Sequence, residues 1–116
     1  MSDTLNAVLE QRGATYGDYP VVAALSQALK NTIMQHYFEV HGGDSATPLP
    51  PYMAESISMI CHKLSRIANG NPYYADNWQD IAGYAELAVR ELDKQTKAYN
   101  PKPENNNTND NKEEVE

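Results

Sequence analysis

At 116 residues the chain is long enough for one domain, and sixteen acidic against nine basic side chains give it a net charge of −7. That balance excludes general attraction to nucleic-acid backbones, which need clustered Lys and Arg. The single cysteine, Cys61, excludes an intramolecular disulfide and a thiolate metal cage, and its apolar surroundings mark it as a small core residue.

The opening MSDTLNAVLEQRG lacks the basic start and apolar core of a secretory signal, and no apolar run approaches the ~20 residues that span a bilayer. A cytoplasmic location is expected, with no membrane contact. Ser2 or Asp3 is placed to cap a short first helix carrying Leu5, Val8 and Leu9, with Gly13 as its stop. The loop 12–19 follows. Asp18 suits the N-cap and Pro20 the first turn of a second helix. Its stripe of Val22, Leu25, Leu29, Ile33, His36 and Val40 ends at Gly42-Gly43, with His36 read as a core histidine.

Prolines restrict the loop 42–51 that leads to the third helix. There Met53, Ile57, Ile60, Leu64 and Ile67 form one seam, closed by Asn69-Gly70. Asp76 opens the fourth helix as an N-cap or first-turn acid, and Trp78, Ile81, Ala85, Ala88 and Leu92 are expected to face the core. No segment alternates with period two. The pattern predicts an all-α domain over 1–98, a small helical bundle of about four helices with two long central ones. Its small core makes a homo-oligomer the expected state. From Tyr99 onward Val115 is the only aliphatic residue, so 99–116 reads as a disordered acidic tail. Residues 1–100 hold eleven acids against seven bases, so the negative charge is not the tail's alone.

On the third helix Glu55, Met59, His62 and Arg66 lie nearly opposite the apolar seam, with Lys63 at the shoulder. Such a stripe is either a solvated face or, through Lys63 and Arg66, a site for a phosphate or carboxylate. On the fourth helix Asp76 and Asp80 stand one turn apart, flanked by Tyr84, Leu87 and Glu91. Two readings are open: the carboxylates share a Mg²⁺ ion, or Asp76 caps the helix while Asp80 pairs with Lys63 or Arg66. Eight tyrosines against one phenylalanine, with Tyr16, Tyr19, Tyr52, Tyr73 and Tyr74 at loops or helix ends, suit stacking on a base or roofing a small core. No Ser-His-Asp arrangement, Gly-rich phosphate loop or zinc spacing is present.

The strings RGATYGDY (12–19), KLSRIANGNP (63–72) and DNWQDIAGYAELA (76–88) resemble a family of small phage and prophage proteins over most of residues 5–95. More widely the chain is similar to the MazG-like all-α nucleoside triphosphate pyrophosphohydrolases, in which acids on two helices bind Mg²⁺. The resemblance implies Glu55, Asp76 and Asp80 as metal ligands, although the family's spacing falls on Asn77 rather than Asp76. It further implies Lys63 and Arg66 on phosphates, Tyr16 or Tyr84 on base or sugar, and Arg12 of the first motif as a further ligand-binding residue. Ser58 and Met59 stand where the pattern has the second acid of the first pair. Two functions are therefore expected from different classes. One is a Mg²⁺-dependent nucleotide pyrophosphohydrolase; the other is a non-catalytic module that sequesters a nucleotide or engages a host protein.

Overall fold

A computed structural model of the chain describes residues 2–99, and among these every regular element is helical. The elements are α1 (Asp3–Tyr16), α2 (Tyr19–Val40), a 3-10 turn (Gly43–Ser45), α3 (Pro51–Asn69) and α4 (Ala75–Tyr99). The all-α class and the four helices match the periodicities. The expected tail, 99–116, lies outside the described residues but for Tyr99. Among the described residues no helix is long and apolar enough to cross a membrane.

Each helix starts and stops for local reasons. Ser2 caps α1, its Oγ accepting from the Leu5 N–H at 3.1 Å. Gly13 does not end that helix. A lone helical glycine costs only about 1 kcal/mol, and the chain turns instead at Gly17, whose φ of 95° suits glycine. Its N–H donates back to the Gly13 carbonyl at 2.7 Å. The predicted loop 12–19 thus shrinks to Gly17 and Asp18. Asp18 holds the N-cap position of α2 without a side-chain capping bond, and Pro20 sits in the first turn. Beyond α2 the Tyr37 hydroxyl donates to the Thr47 carbonyl at 2.8 Å, tying the following loop to the helix. His36 is exposed, not buried as its place on the apolar stripe predicted.

The helices form a layer with α3 in the middle. It packs against α2 on one side and α4 on the other, while α2 and α4 do not meet. The joints are polar: Ser65 Oγ donates to the Val22 carbonyl at 2.7 Å, and Ser56 Oγ to the Tyr84 carbonyl at 3.2 Å. Consequently Ser56, Cys61, Lys63 and Ser65 are the buried residues of α3, while Leu64 of its apolar seam is 39% exposed. The same shift affects α4. Asn77 is fully buried and Ile81, Tyr84, Ala88 and Glu91 are half-buried, whereas Trp78 and Leu92, expected in the core, are exposed. Periodicity located the apolar stripes; it did not say which flank each helix presents to its neighbour. Cys61 is buried as expected, and burial pushes its thiol pKa up.

Candidate functional site

Two glycines bring the first and second sequence motifs together. Gly70, at the end of α3, lies so close to the end of α1 that a Cβ there would collide with the Thr15 carbonyl and the Tyr16 backbone. A Cβ on Gly17 would come 2.6 Å from that of Asn69. Between them the Asn71 N–H donates to the Thr15 carbonyl at 2.8 Å. This backbone contact fixes the C-terminal turn of α1 against the last turn of α3, and with it the site's side chains.

Tyr16 is the centre. The Arg66 guanidinium lies over its ring with Cζ 4.2 Å from the centroid, and Arg12, one turn back on α1, stands at 4.9 Å. The Tyr74 ring meets Tyr16 edge-on at 5.6 Å. Tyr74 is pushed up to about 12 by the neighbouring Tyr16 hydroxyl first and by Asp76 second, so it stays a neutral phenol. In front of the arginines opens a pocket of about 360 Å³, lined by Arg12, Tyr16, Asp18, Tyr19, His62 and Arg66 among others. His62 is held below the usual imidazole range, first by burial, then by the positive charges of Arg66 and Lys63. Neither Arg12 nor Arg66 is in an ion pair among the described residues.

No protein-family model matches this chain, and no curated protein or solved structure is significantly similar to it. The site's chemistry therefore has to be read from its own geometry.

The other expected residues lie elsewhere. Lys63 Nζ sits 3.0 Å from Asp80 Oδ2, with the lysine side chain 10% exposed and the aspartate 47%. Of the two readings for Asp80, the inter-helix ion pair is the one observed, and Lys63 is committed to it rather than open to a phosphate. Asp76 lies in the first turn of α4 beside Tyr74, and Glu55 is exposed on α3. Among the described residues no three His, Cys, Asp or Glu side chains come together to hold a metal ion. Glu55, Asp76 and Asp80 thus do not form the ligand set that the resemblance implied. Asn77, where the spacing implied by the resemblance would place an acid, is 1% exposed. Neither polar atom of its amide has a hydrogen-bond partner among the described residues. Tyr84 is remote from the pocket; with Asp80, Gly83 and Leu87 it borders an open groove along α4.

The structure thus brings Arg12, Tyr16 and Arg66 together, and sets beside them His62, which shares the stripe of Arg66, and Tyr74 and Asp18, which the sequence did not place there. His62 was legible because it precedes Arg66 by one helical turn on the same stripe. Tyr74 was not. It reaches Tyr16 through the contact at Gly17 and Gly70, which no spacing encodes.

Proposed function

We propose that this chain is a non-catalytic binding module for a small phosphorylated ligand of nucleotide size, held in the Arg12–Arg66 pocket. One observation carries the reading: two guanidiniums converge on a single tyrosine ring at the mouth of a pocket, in a protein whose net charge is −7. Neither guanidinium is ion-paired among the described residues, although Asp18 lines the same pocket, so an anion that engages both is favoured, and guanidinium forks match phosphate oxygens in pairs. Stacking on Tyr16 holds both groups in place before the ligand arrives. Neutral His62 adds a hydrogen-bonding group with no charge of its own to desolvate.

The pocket volume lies at the low end of the range for small-molecule sites, enough for a nucleotide whose base projects outward. Tyr19 at the rim is 74% exposed and offers an aromatic face for that base. Two motifs of the phage-type resemblance, RGATYGDY and KLSRIANGNP, supply the arginines and Tyr16 of this site. Because Glu55, Asp76 and Asp80 are not gathered into one cluster among the described residues, no step is assigned to Mg²⁺ and binding is expected without it.

Calorimetric titration of the full chain with a panel of nucleotides, with Mg²⁺ and with a chelator, tests the reading. The expected result is binding in both conditions with no pyrophosphate released. Turnover that depends on Mg²⁺ and is abolished by Asp80→Asn would place the protein among the hydrolases instead.

A further inference from the structure

Few of the apolar side chains that give the helices their periodicity are fully covered inside the chain. Among the described residues, Val22 and Cys61 are the only hydrophobic side chains that are buried. The reason is geometric. With about 100° between successive residues, Ser56 and Lys63 lie on the flank of α3 toward α4, and Ser65 on the flank toward α2. Ile57 and Leu64 fall midway between those flanks, on one open side of the layer, with Met53, Ile60 and Ile67 between them and the α4 flank.

Both neighbours run antiparallel to α3, and the handedness of the helix then sets their apolar stripes on that same side. On α4 the stripe is a quarter-turn from Asn77 and Tyr84 and carries Trp78, Val89 and Leu92, which are 52%, 47% and 43% exposed. On α2 it includes Ile33, 43% exposed, beside half-buried Leu25 and Leu29. With Leu64 at the centre, these rows make one continuous face without an Asp, Glu, Lys or Arg among them.

We infer that this face is the contact of a homodimer, two copies packing layer on layer so that six helices enclose the apolar core that one copy lacks. These apolar side chains, each partly exposed, present on the order of 600 Å² per copy, close to the roughly 800 Å² per partner of a stable interface. The chain's own remaining segment, 100–116, cannot supply the cover, because Val115 is its only aliphatic residue. An anionic membrane surface is disfavoured by the net charge of −7. Two-fold self-contact sets a patch against its own copy, so a patch free of charge avoids like-charge opposition. His62 and Arg66 project from the opposite side of α3, so the pocket stays open in the dimer and either inference can fail alone.

Sedimentation velocity on the full chain is expected to give twice the mass of 12.9 kDa. Trp78, the single tryptophan, reports on the face directly, its emission shifting to the red as the dimer dissociates on dilution. The melting temperature is expected to rise with protein concentration, as it does for a dimer that unfolds to separate chains. Leu64→Glu should lower the mass to one chain or abolish folding, whereas Leu87→Glu, on the opposite face, should leave the mass doubled. A monomer whose Trp78 emission and melting temperature ignore concentration would overturn the proposal. So would loss of the dimer in Leu87→Glu with its retention in Leu64→Glu.

Discussion

The Arg66 guanidinium rests on the face of Tyr16, Cζ 4.2 Å from the ring centroid, joining α3 to the end of α1. This pairing holds a positive charge at the wall of the pocket with its direction fixed by an aromatic plane. Charge-assisted hydrogen bonds to a phosphate contribute roughly 1.5–3 kcal/mol each. Arg66→Ala should therefore weaken nucleotide binding by about tenfold to a hundredfold in calorimetry, with an unchanged far-UV circular dichroism spectrum. Arg66→Lys should recover only part of the loss, because an ammonium lacks the planar fork that stacks on Tyr16. Equal affinity in all three proteins would remove Arg66 from the site.

A second expectation concerns the Lys63–Asp80 pair. Lys63 is almost wholly buried, so losing its partner leaves an uncompensated charge, although half-exposed Asp80 moderates the effect. Asp80→Asn should cost about 1–2 kcal/mol, which for a domain of this size lowers the melting temperature by several degrees. Adding Lys63→Met should restore much of the loss. A melting temperature unmoved by Asp80→Asn would show that the pair carries no structural weight.

The glycines separate into two classes. Gly13 is helical and has open space around its missing Cβ, so Gly13→Ala should stabilise by up to about 1 kcal/mol. Gly17 has a positive φ and a crowded neighbour in Asn69, and Gly70 is packed on the backbone of Thr15 and Tyr16. Gly17→Ala and Gly70→Ala should therefore destabilise and loosen α1, exposing amides of residues 3–16 to faster hydrogen exchange. Protection of α1 unchanged in Gly70→Ala would contradict the close packing.

These glycines also show where the sequence stopped being legible. The helices and roughly their number were readable because the apolar period encodes them. Gly13 misled because its sequence does not distinguish a tolerated helical glycine from a stop; only the positive φ at Gly17 does. Trp78 and Leu92 were placed in the core because amphipathicity marks an apolar stripe without naming what covers it. Glu55, Asp76 and Asp80 are not gathered into one cluster among the described residues, for a related reason. One turn separates Asp76 from Asp80 in sequence, but Lys63 on the neighbouring helix takes Asp80, and that choice belongs to the packing of α3 on α4.

His62 gives a pH signature. Its folded-state pKa lies below the usual 6.5, so as pH falls the unfolded chain takes up this proton first. The contribution of His62 to stability is full above the unfolded value and is lost as pH falls from there toward the folded value. Thermal melts of the wild type should lose stability over that interval more steeply than His62→Gln. Parallel curves for the two proteins would contradict the assigned environment.

The most direct test of the pocket is an NMR titration of the full chain with a nucleoside triphosphate, following the His62 imidazole and the Tyr16 ring. A phosphate seated between Arg12 and Arg66 places negative charge beside His62, so its pKa should rise on binding while the Tyr16 ring signals shift in step. Saturable shifts at both residues, lost in Arg66→Ala, are the result this account expects. If the nucleotide binds while His62 and Tyr16 stay unmoved, or if no phosphorylated ligand binds, the Arg12–Arg66 pocket is not the functional site.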